Sequence, residues 1–298
     1  MGEFRLIVDD IYILETPSGG VWSGIIFIDS EEKVLIDSGD CSENIDNLLI
    51  PALQKLGYSL ENITWLCNTH CHGDHVGGHY RIRELADIKV AVYVESCPKI
   101  MNPLKYAKLI RATYPEFSPP ASAALKGVEF DRILQEGDTI GGRLQVIATP
   151  GHDTDCVSFY DTKTKTLITG DSLQGNGTAT QGTALYMDLD VYRNTLKKLM
   201  RMDVENIISG HPYLFSGDMA IGKAAATAYL KRCWVITDIY DTYIGEQVKA
   251  GCTDKVKLAE GLIKHMNNKK PAFLFLPLYT VDAHLRKMLE IKNNKKAD

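Results

Sequence analysis

The sequence predicts an α/β protein. Apolar runs of strand length alternate with segments of helical periodicity through the first two thirds of the chain, and polar turns separate them. After about residue 216 the pattern changes to mostly helical.

The first strand signals, Gly24 to Asp29 and Lys33 to Asp37, flank the polar turn Ser30-Glu31-Glu32 and read as a hairpin. Ser42 to Gly57 reads as a helix, with Ser42 as N-cap and Ile45, Leu48, Leu49 and Leu53 as its apolar positions; Pro51 weakens its backbone ladder. Ile63 to Cys67 is a short buried strand running into a histidine cluster, followed by a helix from about Val76 to Leu85 and a strand from Ile88 to Val94. The proline-rich stretch 97–134 is the least regular, with one short helix, Leu104 to Arg111; it reads equally as a lid over a pocket or as a passive connection. Strands return at Leu144 to Ala148, Cys156 to Tyr160 and Thr166 to Thr169, the last two joined through the turn Asp161-Thr162-Lys163-Thr164. A helix over Leu189 to Met200 and a strand over Asn206 to Ser209 complete a first unit, 1–215. The remainder, 216–298, reads as a helical extension with its longest run at Lys223 to Ile244 and a frayed polar tail, Lys292 to Asp298.

A chain of 298 residues buries a substantial core without disulfides, and 45% hydrophobic with 24% charged residues exclude extensive disorder. The net charge of -5 supplies no basic field for nucleic acid, so none is expected as a partner. No basic segment followed by an apolar run opens the chain, and Leu6 stands where a myristoylation signal wants Ser or Thr. The longest apolar stretch, Ala272 to Leu278, is broken by Pro277 and too short to cross a bilayer, so no membrane partner is expected. Seven cysteines, none in a C-x-x-C pair, read as reduced thiols in a cytoplasmic protein.

The chemistry concentrates in Thr69-His70-Cys71-His72-Gly73-Asp74-His75. Three of the eight histidines and a carboxylate fall within six residues just after a buried strand, which places several metal-ligand groups on one tight loop. Gly73, Gly77 and Gly78 let the backbone turn and the following helix approach closely. Three single residues share a second pattern. His152, Asp171 and His211 each follow a glycine at the end of a strand, where α/β folds build sites.

H-x-H-x-D-H, a histidine after T-P-G, the aspartate of G-D and a final G-H resemble, in this order, the metallo-β-lactamase superfamily over about Leu6 to Tyr213. The resemblance implies an αβ/βα sandwich, two β-sheets face to face with helices outside, and a site along one sheet edge. It implies one metal ion held by His70, His72 and His152, a second by Asp74, His75 and His211, and Asp171 bridging them. Asp37, in Ile36-Asp37-Ser38-Gly39, matches an early aspartate whose family role is mainly structural. Imidazoles and carboxylates without thiolate suit two divalent transition-metal ions, zinc first, with iron or manganese also compatible. Such a pair holds a bridging hydroxide as nucleophile, so no serine or cysteine nucleophile is needed, and Asp74 is placed to handle a proton during turnover.

Subfamily marks are weaker. The segment Ser172-Leu173-Gln174-Gly175-Asn176-Gly177 lacks the arginine of glyoxalase II-like enzymes, and no basic cluster for glutathione carboxylates stands out. Quorum-signal lactonases carry a tyrosine where this chain has Gln174, which either donates its amide to substrate or points away from the pocket. The expected function is a binuclear hydrolase acting on a small ester, thioester or lactone. The alternatives are a phosphodiesterase and an iron-dependent persulfide-dioxygenase-like redox enzyme. The C-terminal helices either form a homodimer surface or close over the pocket.

Lesser signals carry two readings each. Cys71 either has a redox role between the two histidines or, the favoured reading, points away from the metals into the core. His79 either braces a ligand or is a solvated helix residue, and Trp22 either flanks the pocket or packs a loop. His265 and His284 read as surface positions on amphipathic helices.

Overall fold

The computed structural model describes residues 2–214 and 217–297, with side chains to Glu290. Seven strands form the first sheet in the order of the chain: β1 (Arg5–Val8), β2 (Ile11–Ser18), β3 (Val21–Ile28), β4 (Lys33–Ile36), β5 (Ile63–Cys67), β6 (Lys89–Tyr93) and β7 (Arg132–Leu134). Pairing is antiparallel from β1 to β4 and parallel from β4 to β7. Helix α1 (Ser42–Asn44) leads towards α2 (Ile50–Lys55), which with α3 (Gly73–Val76) and α4 (His79–Leu85) supplies buried residues packed on its outer face. Two further helices, α5 (Cys97–Ile100) and α6 (Pro103–Ala112), sit between β6 and β7 in the chain. The second sheet runs β13-β12-β11-β10-β9-β8, built from β8 (Thr139–Ile140), β9 (Leu144–Ala148), β10 (Val157–Asp161), β11 (Thr166–Ile168), β12 (Asn206–Tyr213) and β13 (Gly217–Ile221). Its outer face carries α7 (Leu189–Leu199), α8 (Lys223–Lys249), α9 (Lys255–His265) and α10 (Phe275–Ala297).

Side-chain alternation explains the layering. In β3, Ile26 and Ile28 face the second sheet, whereas Ile25 and Phe27 face the helices. All four are buried, which is why this strand reads as a continuous apolar run rather than an alternating one. In the second sheet Ile168 and Ile208 point inward to the sheet interface, and Leu167 and Ile207 point outward to the C-terminal helices. The result is the α/β/β/α sandwich that the resemblance implies.

Several elements depart from expectation. β1 and β2 precede the predicted hairpin; β1 is largely exposed and Pro17 lies in β2, so neither gives a clean strand signal. The predicted helix over 42–57 is capped at Cys41, not Ser42, and contains a widened π turn, Ile45–Leu49, in which the Ile50 N–H reaches the Ile45 carbonyl just before Pro51. Pro51 has no N–H to continue the normal ladder, and the wide turn absorbs that loss. The helix expected over 76–85 is split at Gly77-Gly78, where the backbone passes so close that a Cβ would lie 2.0 Å from the Asp40 carbonyl or 2.4 Å from that of Ser38. β12 continues past Ser209 to Tyr213, and the stretch after 215 includes a strand, β13, before any helix. α10 runs through Ala297, so the tail expected to fray is helical backbone to that point; Asp298 lies outside the described residues. No helix among the described residues is long and apolar enough to cross a membrane.

Candidate metal centre

The parallel β4 and β5 end at the same edge of the first sheet, and their following loops build half of the site. Asp37, just after β4, takes a left-handed backbone (φ 63), a conformation that aspartate tolerates better than most residues. Its carboxylate accepts from the Thr69 N–H at 2.7 Å, from Thr69 Oγ1 at 2.8 Å and from His75 Nδ1 at 2.8 Å. One carboxylate thus fixes both ends of the histidine loop. His70 and His72 lie on that loop, and Asp74 and His75 lie in α3. From the second sheet, His152 follows β9 and Asp171 follows β11. His211 lies inside β12 rather than beyond it, in the stretch where the pairing with β13 loses register between Ile208 and Tyr213. At Gly170 (φ +48) a Cβ would meet Thr69 Oγ1 at 2.2 Å, so glycine there lets the two halves close on each other.

All seven predicted residues converge. Three groups of ligand atoms lie within 4.8 Å of one another: His70, His72 and His152; His70, His75 and Asp171; and Asp74, His75 and His211. His152 Nε2 is 3.1 Å from His72 Nδ1, and His75 Nε2 is 3.3 Å from His211 Nε2. Asp171 faces both sides: Oδ1 is 3.3 Å from His75 Nε2 and 3.4 Å from His211 Nε2, and Oδ2 is 3.6 Å from His152 Nε2. Asp74 Oδ2 lies 3.2 Å from His211 Nε2. His70 sits centrally, with ring centroids at 4.2 Å to His75 and 4.6 Å to His72.

These residues fit divalent cations. Each imidazole turns one nitrogen inward, and four of the five have the other nitrogen braced, the arrangement that fixes tautomer and ring orientation at metal sites. The braces are Thr69 Oγ1 for His70, Asp37 for His75, the Leu185 carbonyl for His152 at 3.0 Å and the Trp22 carbonyl for His211 at 2.6 Å. His72 Nε2 lies 3.1 Å from Asp153 Oδ2, off the axis of a full hydrogen bond. The inward-facing His70 Nε2 and Asp171 Oδ1 are buried without a hydrogen-bond partner. Buried lone pairs left facing one another in this way are stabilised by a cation between them.

The electrostatics keep His70 and His152 neutral and the two carboxylates ionised, whereas the carboxylates raise the pKa of His75 and His211. Burial, reinforced by His75 and His72, pushes His70 well below the ordinary imidazole value, and burial with His72 beside it brings His152 down to about 4. Burial opposes the charge on Asp171, but His211 and His75 outweigh it and hold the carboxyl well below its usual range. Asp74 is likewise held low by His75 and His211 against burial. Burial opposes charge on His75 too, yet Asp171, Asp37 and Asp74 raise its pKa well above normal.

A cavity of about 900 Å3 opens over this cluster. The 97–134 segment lines it through Tyr106, Ala107, Ile110, Arg111 and Leu125, and the loop between α9 and α10 adds Lys269 to Phe273. Gln174 does not reach the cavity. Its amide donates to the Asp171 carbonyl and to Tyr213 Oη at 2.9 Å each, and its oxygen accepts from Gln181 Nε2 at 2.7 Å and the Leu185 N–H at 3.1 Å. Of the two readings of Gln174, the one that turns it away from substrate holds. Trp22 acts through its carbonyl on His211 rather than through its ring. Cys71 is buried with Sγ 3.7 Å from the Ser96 carbonyl, away from the ligand atoms. His79 is fully buried with Nδ1 2.7 Å from Ser38 Oγ, which overturns the solvated reading. His284, expected at the surface, is also fully buried, with Nδ1 2.6 Å from Asp241 and Nε2 2.7 Å from Tyr186 Oη.

Sequence reasoning passed over Asp153, although it directly follows His152. Lys99 Nζ joins it to Asp155 at 2.7 and 2.6 Å, and the Tyr106 hydroxyl donates to Asp153.

Comparison with known proteins gives a consistent picture. A sequence profile described as the metallo-beta-lactamase superfamily matches residues 17–211. The chain is 26% identical to a beta-lactamase-like protein 2 homolog of Caenorhabditis elegans over 60% of this chain and 52% of that one. It is 30% identical to a hydroxyacylglutathione hydrolase of Rhodopseudomonas palustris (strain HaA2) over 56% of this chain and 54% of that one. The chain thus spans about half the length of each relative. Among solved structures, a metallo-beta-lactamase family protein of Thermus thermophilus superposes with a TM-score of 0.73 at 17% identity, covering 94% of both chains.

Proposed function

Because the chain belongs to the metallo-beta-lactamase superfamily, we propose that it is a metal-dependent hydrolase of a small carboxylic ester or thioester. The observation that carries this reading is the convergence of five imidazoles and two carboxylates at the floor of the cavity, each imidazole with its outer nitrogen braced or faced by an acceptor. We assign His70, His72 and His152 to one ion, Asp74, His75 and His211 to a second, and Asp171 to both. The donor set favours zinc, with iron or manganese also suited. Two such cations, when bound, lower the pKa of water into the neutral range and polarise a substrate carbonyl. The protein's own part is to hold ligands and substrate. Asp37, Asp153 and the carbonyls of Trp22 and Leu185 keep the imidazoles aimed. Asp74, half-buried and lining the cavity, is the carboxylate positioned to hold a proton for the leaving group. The hydroxyacylglutathione hydrolase among the relatives supports a thioester among the substrates. Gln174, with both amide protons used within the protein, offers a substrate carbonyl no donor.

Metal analysis and a variant test the reading together. Protein purified without chelator is expected to carry about two transition-metal ions per chain. Asp171→Ala should lose hydrolysis by more than about a hundredfold, since even residues that only brace ligands cost tenfold to a hundredfold. His265→Ala, on the exposed face of α9, should match the parent, and strict anaerobiosis should change nothing. Protein that takes up no zinc, iron or manganese, or that turns over only with dioxygen, overturns it.

A further inference from the structure

Several half-buried cations in this protein have carboxylate partners. Lys99 is held by Asp153 and Asp155, Arg143 by Asp161, and Arg193 by Asp238 and Asp241. Arg111 differs. It stands at the end of α6 on the cavity wall, and it pairs with no carboxylate among the described residues. Its Nη1 donates to the Ala107 carbonyl at 3.0 Å, and its guanidinium carbon lies 5.7 Å from the centroid of the Phe275 ring. These two contacts hold the group in place. The edge that carries Nε and Nη2 is left over, and Nε is buried without a hydrogen-bond partner. That edge carries two parallel N–H donors, the fork that grips a carboxylate or phosphate in bidentate fashion. A guanidinium kept partly out of water with an idle fork is unfavourable until an anion fills it. Burial lowers the Arg111 pKa, the direction expected of a cation that lacks a partner.

The rest of the cavity agrees. Lys269 and Lys270 line it from the α9–α10 loop, and of these Lys270 is paired with Glu260 at 2.6 Å. Ile110, Leu125, Phe273 and Phe275 give apolar walls; of the acidic groups that line it, Asp74 and Asp171 belong to the metal cluster and Asp40 stands beside Asp74. Arg111 and the two lysines are far apart in sequence, which is why no basic cluster was visible there.

We propose that Arg111 anchors an anionic group on the substrate, remote from the bond that is cleaved. The substrate is then an ester or thioester with an apolar body and a carboxylate or phosphate at its far end. The cleavage part of this statement rests on the hydrolase reading above, whereas the anion anchor does not.

The test uses the metal-loaded protein and three series of thioesters of matched length, ending in a carboxylate, a phosphate or a neutral amide. The parent should prefer an anionic end over the amide by about tenfold to a hundredfold in kcat/KM, the size of a charge-assisted hydrogen-bond pair. The better of the two anions identifies the natural group. Arg111→Gln should bring that ratio close to one, and Arg111→Lys should keep part of it. Lys105→Gln, which removes a charge from the exposed face of the same helix, should leave the ratio at the parent value. Equilibrium binding of a medium-chain dicarboxylate and of its mono-amide gives the same comparison without turnover. If no thioester is hydrolysed but Arg111→Gln weakens dicarboxylate binding tenfold or more, the hydrolase reading fails and the anchor stands. An anionic preference that survives Arg111→Gln in both measurements overturns the anchor.

Discussion

Asp153 is not itself a proposed ligand, yet it is placed to aim one. It lies against His72 Nε2, and it is itself held by Lys99, Tyr106 and the Thr154 N–H. Burial opposes its charge, but His72 and then Lys99 outweigh it and hold the carboxyl well below its usual range. Asp153→Asn keeps the volume but removes the charge that aims the imidazole and balances Lys99. Metal affinity is expected to fall by about tenfold to a hundredfold, read by chelator competition at fixed pH. Unchanged affinity would mean that His72 needs no such brace. The convergence of the seven donors was legible because each announces itself by side-chain type. The braces were not, since two of them are main-chain carbonyls, at Trp22 and Leu185, and any residue has one. Gln174 marks the opposite limit. Its place in the sequence suggested the pocket, but three-dimensional packing turned it toward Tyr213, Gln181 and the Leu185 N–H.

Between elements, the contact of α6 with α10 shapes the cavity. The Tyr279 hydroxyl meets the Ile110 carbonyl at 2.7 Å and Thr113 Oγ1 at 2.8 Å, and its ring packs edge-on against Tyr114 at 5.2 Å. The 97–134 segment is thereby tied to the C-terminal region, with Phe273, Phe275 and Leu276 completing the wall. Tyr279→Phe removes both hydrogen bonds and keeps the ring. It should cost about 1 kcal/mol in urea unfolding and raise KM severalfold with kcat nearly unchanged, because no proposed ligand lies on α6 or α10. A fall in kcat alone would contradict this division of labour. The first, α6, was legible as one short helix over Leu104 to Arg111, and the second, α10, only as part of a mostly helical C-terminal stretch. Their meeting was not, since it joins residues more than 160 positions apart and leaves no local pattern. β13 was missed for a related reason: its burial depends on pairing with β12, not on an apolar run of its own.

Across the whole molecule, three apolar clusters are separated by two sheets, and buried polar residues sit where the layers meet the helices. His79 and His284 are two of these, one behind each sheet, and burial lowers the pKa of both. For His284 burial outweighs the opposing Asp241, and for His79 burial, with His75 adding to it, takes the value from 6.5 to about 3. The unfolded chain binds a proton at such a histidine near pH 6.5, whereas the folded chain keeps it neutral. Below pH 6.5 the unfolded state therefore holds more protons. The stability contributed by the neutral histidine is complete above that pH and is lost as the pH falls below it, for His79 down toward 3, at up to about 1.4 kcal/mol per pH unit for each group. His79→Gln tests the sign directly. The variant should be less stable than the parent at pH 7.5, because the Ser38 contact and the packing around the ring are disturbed. The gap should then narrow steadily from pH 6.5 to pH 4.5, since only the parent loses the contribution of a neutral His79. The proposed ligand histidines titrate alike in both proteins, so the difference in urea midpoints isolates this residue. A gap that stays constant over that range would show that His79 takes up its proton in the folded protein as readily as in the unfolded one.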